Sequence, residues 1–307
     1  MVLRMHVRSL FFALSLVAGV LAAQPPVLAD SAVSSGYRWV MFDPPGTGFS
    51  SSAIAVNNRG DIAGTYYTAD GDEHMYIQRL GRFTALDYPS CHDHPTDSTI
   101  PNDINNRGDI VGQYAQDYSN HGFYYHDGVF HQFDRPGYIV TDPIGINDAG
   151  DIVGMSQRPD FTFEYFTYIR GIFATISIYP PIDWFLGFRD INNGGTTLDE
   201  FAGNFGPPSN LALPNSPLMP IYDFQGQYTE AFGINNHDDV VGFYRDYLTF
   251  DHGFILHEGN YTTLDLPFPT PMHSAVWSHI NDLGVVVGWA VDPATSRQRS
   301  FVGVPVQ

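Results

Sequence analysis

The chain has 307 residues, enough for one large domain, and carries 33 Asp and Glu against 14 Arg and Lys, a formal charge of −19 at pH 7. This charge makes nucleic acid and anionic membrane surfaces unsuitable partners, and leaves cations, neutral glycans or basic proteins. The single cysteine, Cys91, excludes an intrachain disulfide, so the fold must depend on its hydrophobic core.

The N-terminus has the pattern of a secretory signal. Basic residues at Arg4 and Arg8 precede an apolar run from Leu10 to Leu21, and small residues follow. The run is short for a membrane span, so we expect residues 1–29 to be removed on export to the periplasm or the medium. Residues 30–36 are then a flexible lead-in, and residues 37–307 form a single domain with no further membrane span.

The central feature of the remaining chain is a phrase close to I-N-x-x-G-x-I-V-G. Asn and Gly in its middle predict a turn, and the apolar residues on either side predict two strands of a hairpin. The repeats are spaced by 48, 42, 45, 43 and 46 residues, a mean near 45, which is typical of propeller blades. The first Asn of each copy is Asn57, Asn105, Asn147, Asn192, Asn235 and Asn281.

Two further phrases recur along the chain and predict two more strands in each unit. One begins with His, as in His121-Gly122-Phe123, and the other places an aromatic four residues before the Asp of Asp-x-Pro, as in Phe130-Phe133-Asp134-Pro136. We expect each recurring His to bind a neighbouring blade's backbone or the turn, and each recurring Asp to begin a turn. The residues concerned are His74, His121 and His252, with Asp43, Asp87, Asp134 and Asp265.

The first and last strands of the predicted domain are complementary. The domain begins with a lone strand of the fourth type, Trp39 to Asp43, and ends with a strand of the third type, Phe301 to Val304. The sequence therefore predicts an all-β, six-bladed β-propeller of about 45-residue repeats, whose ring is closed when the N-terminal strand completes the last blade. The irregular, proline-rich stretch from Pro207 to Pro220 predicts a surface loop in blade four.

These phrases resemble those of the extracellular repeat proteins called the HAF family, over nearly the whole of the predicted domain. The resemblance implies export and a repetitive β architecture. It implies no catalytic residues. Blades three and four depart from the pattern, because Ser177 stands in place of Asp and the His-Gly-Phe phrase is absent there.

Two groups of polar residues are candidate sites. Cys91, His92, Asp93 and His94 carry metal-ligand side chains in one connection, which is either a transition-metal site or a plain polar loop. The turns between second and third strands lie on one face of a propeller. Their carboxylates are either a ring that binds Ca²⁺, another cation or a sugar, or simply part of a solvated surface. The carboxylates are Asp70, Asp117, Asp160, Asp246 and Asp292.

No common catalytic motif is present in the sequence. The leading hypothesis is a secreted or periplasmic binding module, a monomer, for a glycan or protein ligand. The alternative is an enzyme acting on carbohydrates or lactones through loop carboxylates, with a divalent cation as the one cofactor considered. Two Arg-Gly-Asp tripeptides, at Arg59 to Asp61 and Arg107 to Asp109, lie in the repeated turn and indicate turn chemistry rather than adhesion.

Overall fold

The computed structural model describes residues 31–89, 97–116, 119–179, 185–202, 209–214, 219–221 and 228–306. The predicted signal, residues 1–29, lies outside these ranges. The described residues form strands and turns only, in six antiparallel sheets. None of them belongs to a helix that could cross a bilayer.

Five of the sheets are meanders of four consecutive strands, and the sixth combines three C-terminal strands with two N-terminal ones. The first strand of each blade lies nearest the central channel. Blade one contains β3 (Ser51–Val56), β4 (Ile62–Tyr67), β5 (Glu73–Arg79) and β6 (Arg82–Ala85), and blade two contains β7 (Ser98–Ile104), β8 (Ile110–Gln116), β9 (Ser119–His126) and β10 (Val129–Gln132). Blade three contains β11 (Val140–Ile146), β12 (Ile152–Gln157), β13 (Phe163–Ile169) and β14 (Ile172–Tyr179).

The remaining three sheets complete the ring. Blade four contains β15 (Phe185–Ile191), β16 (Thr197–Ala202), β17 (Ser209–Ala212) and β18 (Met219–Ile221), and blade five contains β19 (Tyr228–Ile234), β20 (Val240–Arg245), β21 (Asp251–His257) and β22 (Asn260–Leu264). Blade six contains β23 (Ala275–Ile280), β24 (Val286–Asp292) and β25 (Arg297–Pro305), joined by β2 (Tyr37–Phe42) and β1 (Ser31–Ser34). The six-bladed propeller is therefore confirmed.

The predicted closure is also confirmed, because the N-terminal β2 pairs antiparallel with the C-terminal β25 from Tyr37↔Pro305 to Phe42↔Ser300. Trp39 is 1% exposed and its ring meets that of Phe301 edge to face at 5.4 Å. An ion pair of 2.9 Å between Arg299 Nε and the Asp43 carboxylate fastens the two ends of the chain together.

Two segments differ from what the sequence predicted. The lead-in expected to be flexible contains β1, because Ser35 and Gly36 both adopt positive φ and turn the chain tightly onto β2. The proline-rich stretch expected to be a surface loop carries β17 and β18, the two outer strands of blade four. A proline is tolerated in an edge strand such as β18, since the outer edge of the sheet needs no N–H donor.

The recurring His and Asp form a clasp within one blade. His121 Nδ1 lies 2.8 Å from the Asp134 carboxylate, and the same oxygen-to-nitrogen distance joins His74 to Asp87 and His252 to Asp265. The histidines therefore bind an Asp just beyond the fourth strand of their own blade, whereas the sequence suggested a neighbouring blade's backbone or the turn. His252 also lies 3.5 Å from Asp246, in the turn between the second and third strands of its blade. In blade three Glu164, which is fully buried, takes the position of the His and pairs with Arg135 at 3.3 Å.

Candidate functional site

One end of the central channel is surrounded by a ring of hydrogen bonds between the six repeated asparagines. Each amide nitrogen donates to the backbone carbonyl of the corresponding Asn in the next blade, at 2.9 to 3.4 Å, and Asn281 donates back to Asn57. Each side-chain oxygen accepts two N–H groups of its own turn at about 3.0 Å. The repeated Asn thus holds its turn and joins neighbouring blades, which explains its presence in every copy.

A second ring surrounds the first. The residue after each repeated Asn is Asn or Asp, and its side-chain oxygen accepts the backbone N–H of the equivalent residue in the preceding blade, at 2.7 to 2.8 Å. The aspartates of the two Arg-Gly-Asp tripeptides lie beside these rings, with Asp61 6% and Asp109 2% exposed. Both are bonded to their own Arg and to the repeated Asn, so neither is presented for adhesion.

The first strand of every blade has a β-bulge two residues before the repeated Asn. A bulge turns consecutive side chains towards the same side of a strand, here the channel. The residue at this position alternates around the ring between large polar and small. In blades one to six it is Ala55, Asp103, Gly145, Asp190, Gly233 and His279.

The three large residues converge on the channel axis. His279 Nε2 lies 3.3 Å from an oxygen of Asp103 and 3.2 Å from an oxygen of Asp190. One ligand atom from each residue falls within 4.8 Å of the other two, and among the described residues no other group of three His, Cys, Asp or Glu does so. We call Asp103, Asp190 and His279 the channel triad.

The neighbouring blades hold the channel triad in place. Asp103 accepts the Ile146 N–H at 2.7 Å, and Asp190 accepts the Ile234 N–H at 2.8 Å. Gly233 is required here, since a Cβ on it would lie 2.7 Å from the His279 Cα. The small residues of blades one, three and five therefore make room for the large residues of the other three.

Burial concentrates charge effects at the channel triad. Desolvation and the neighbouring Asp103 raise the pKa of Asp190. Desolvation disfavours a charged His279, but the carboxylates of Asp190 and Asp103 outweigh it and raise the pKa of the imidazole to about 10. The two carboxylates therefore favour a positive charge at this point of the channel, which the protonated imidazole supplies.

Above the channel triad, at the end of the channel opposite the asparagine rings, lies a cavity of about 560 Å³. Its walls are apolar and aromatic, formed by Ile54, Ile144, Met155, Phe163, Tyr165, Phe188, Phe232 and Val276. Its polar groups outside the channel triad are Asn102, Asp142, Arg189 and Ser278. Burial raises the pKa of Asp142 to about 6, against the opposing effect of its hydrogen bond from Asn102.

The carboxylates predicted from the sequence lie elsewhere. Asp160 and Asp246 each accept N–H groups of their own turn, and Asp292 also contacts Arg299. Asp70 is exposed in a turn, and none of these four belongs to the channel triad or lines the cavity. Asp117, Cys91, His92, Asp93 and His94 lie outside the described residues. Binding by either predicted group stays a prediction.

Sequence reasoning missed the channel triad because each member occurs in an ordinary strand. The signal was present in one column of the repeat, the residue directly before Ile/Val-Asn. Read down the six copies, that column alternates small and large, and its three large residues are all metal-ligand types. The asparagine position is the same in every copy and indicates architecture, whereas this neighbouring position varies between copies.

No protein-family model matches the chain, and no curated protein sequence matches it. Among solved structures it resembles a triple mutant of AofleA from Arthrobotrys oligospora, with a TM-score of 0.50 and 11% identity over 90% of this chain and 95% of that one. It also resembles a catalytically inactive virginiamycin B lyase from Staphylococcus aureus with quinupristin, with a TM-score of 0.50 and 11% identity over 87% of this chain and 99% of that one. For TolB from Acinetobacter baumannii the TM-score is 0.51 and the identity 10%, over 85% of this chain and 65% of that one. Identities this low show a shared fold alone.

Proposed function

We propose that the protein is an exported propeller that binds a small, neutral or cationic, hydroxyl-bearing ligand of the sugar class in the channel cavity. The observation that carries this proposal is the cavity itself. Its volume of about 560 Å³ lies within the range of roughly 300–1,000 Å³ usual for ligand pockets. A predominantly apolar wall with a few convergent polar groups is also usual for such sites.

The lining favours sugars by its chemistry. The rings of Phe163 and Tyr165 line the cavity and supply apolar aromatic surface for the C–H face of a pyranose. Asn102 donates to the Asp142 carboxylate at 2.7 Å and to the Pro143 carbonyl at 2.9 Å, which leaves the side-chain oxygens of Asp142 and Asn102 as acceptors for hydroxyl groups. The excess of carboxylates in the lining disfavours anionic ligands by repulsion.

The test is a panel of neutral and amino mono- and disaccharides, screened by ligand-observed NMR against the protein without residues 1–29. We expect at least one to bind, and Phe163→Ala to weaken it at least tenfold. Leu80→Ala is the matched control, since Leu80 is 70% exposed in the turn between β5 and β6, near the asparagine rings. No binding across the panel, or equal binding by both variants, would overturn the proposal.

An enzyme acting on sugars or lactones is the second candidate, favoured by one observation. A carboxyl in the cavity with a pKa raised to about 6 holds a proton near neutral pH better than an ordinary Asp, as a general acid must. Aryl glycosides and lactones should then be turned over by the native protein. Asp142→Asn should abolish turnover while saccharide binding persists; native protein that binds but releases no product excludes this candidate.

A further inference from the structure

We propose that the channel triad, Asp103, Asp190 and His279, binds one divalent transition-metal ion at the floor of the cavity. The inference is independent of the sugar proposal, because it concerns the metal alone. Two carboxylates and one imidazole are the ligand types of zinc and manganese sites, and the imidazole makes Ca²⁺ and Mg²⁺ poorer choices.

The separations fit shared coordination. Metal–ligand bonds of about 2.0–2.2 Å place neighbouring ligand atoms about 3.0–3.5 Å apart in octahedral or tetrahedral geometry. The two His279 contacts, 3.2 and 3.3 Å, fall in this range. The three clasp histidines contact their carboxylates at 2.8 Å, the usual length for a charge-assisted hydrogen bond. The two triad contacts are therefore longer than those of the three clasp pairs.

The ligands are also preorganised. Asp103 and Asp190 are each held by the N–H of their own following residue and by an N–H of the next blade, which orients a carboxylate before any ion arrives. The Val56 N–H donates to His279 Nδ1 at 3.4 Å, which orients the ring so that Nε2 faces Asp103 and Asp190. Nε2 is therefore the nitrogen that would bind the ion, which would displace the proton held there.

The surroundings supply what a three-ligand site needs. On the asparagine side of the channel triad the channel narrows to a pocket of about 50 Å³, whereas the cavity on the other side has about 560 Å³, so the cavity side has the room for further ligands to the ion. A metal with three protein ligands keeps open positions for water or a ligand. The alternation of large and small residues brings ligands from every second blade, which arranges them around the axis without crowding.

The experiment is isothermal titration of the metal-stripped protein with Zn²⁺ and with Mn²⁺, followed by Co²⁺ substitution and visible absorption. We expect one ion per chain. Asp103→Asn and His279→Gln should each weaken it by more than the roughly 10- to 100-fold that outer-shell changes cost. His121→Gln is the matched control, because it removes a His paired with Asp134 outside the channel, and it should keep full affinity.

A second variant separates the channel triad from the loop predicted from the sequence. The combined change Cys91→Ser, His92→Gln and His94→Gln should leave the titration unchanged. Should the channel variants lose their fold, X-ray absorption at the metal edge of the native protein decides: one nitrogen among oxygen ligands and no sulfur supports the proposal. Binding that follows the loop variant, a sulfur ligand, or no stoichiometric binding of either ion overturns it.

Discussion

The two ends of the central channel are built from adjacent residues of the same repeat, yet they follow different rules. At the turn end all six blades supply Asn, and each Asn makes the same bonds to its turn and to the next blade. At the cavity end, two residues earlier, the blades alternate between small residues and Asp or His. Uniform residues close the ring, whereas alternating residues break its symmetry and produce a chemically distinct centre.

The largest expected effect lies at the uniform end. Asn105→Ala removes the acceptor for two N–H groups of its turn and the donor to the Asn147 carbonyl, all in a buried setting. We expect a loss of about 2–4 kcal/mol in the free energy of unfolding, measured by chemical denaturation.

Its control is Asn193→Ala in the outer ring, where the residue is exposed and water can replace the lost bonds. That change should cost no more than about 1 kcal/mol. Equal losses in the two variants would show that burial does not distinguish the rings.

At the alternating end a methyl group tests whether the small residues are required. A Cβ on Gly233 would lie 2.7 Å from the His279 Cα, and one on Gly145 would lie 3.1 Å from the Asp190 Cα. Gly233→Ala should cost about 1–3 kcal/mol of unfolding free energy through overpacking.

Gly145→Ala is the graded control for that change. It should cost less, because a shift of a few tenths of an ångström relieves the contact and Ala restricts the unfolded chain. Denaturation of both variants under one condition measures the order. A Gly145→Ala variant less stable than Gly233→Ala would contradict the role given to His279.

Asp142 gives the alternating end a pH dependence. Its pKa is raised by burial from 3.8 to about 6, so the folded protein holds this proton more tightly than the unfolded chain does. The stabilisation is complete below about pH 4 and is lost as the pH rises through about 6. Asp142→Asn, which keeps an acceptor for Asn102, should raise the unfolding free energy at pH 7 by about 1–3 kcal/mol and leave it nearly unchanged at pH 4.

Melting curves of native and variant protein between pH 4 and pH 7 measure this difference. A difference in stability between native and variant protein that stays constant from pH 4 to pH 7 would contradict this prediction. Such a difference would mean that Asp142 acts through packing and not through its proton.

Most of the fold could be predicted because its determinants are local and repeated. The Asn-Gly turns fix hairpins, and the unmatched strand at Trp39 fixes the closure that β2 and β25 make. Blade four was the exception. Its proline-rich stretch has the composition of a loop. Part of it nevertheless forms β18, which pairs with β17 at the edge of the sheet, where a proline is tolerated.

The candidate site could not be predicted in the same way. Asp103, Asp190 and His279 lie on strands separated by 87 and 89 residues along the chain, and only ring closure brings them together. The bulge that turns them inward leaves no sequence signature of its own. The loop carboxylates were predicted instead, because their position on one face of the propeller follows from the order of the strands alone.

The smallest expected effect concerns those loop carboxylates. Asp160 is exposed, and its carboxylate accepts the Thr162 hydroxyl and N–H, which lower its pKa. The combined change Asp70→Asn, Asp160→Asn and Asp246→Asn keeps an acceptor in each turn, so we expect the melting temperature to move by less than about 4 °C.

The same triple variant separates the rim of the propeller from its channel. If ligand and metal act in the cavity, saccharide affinity and metal stoichiometry should equal those of the native protein, because the rim carboxylates touch neither. Titration of the variant with the bound saccharide measures the first quantity, and titration with Ca²⁺ and with Mn²⁺ measures the second. A loss of either affinity while the channel triad is intact would place binding on the acidic rim that the sequence predicted, and the alternating end of the channel would then serve packing alone.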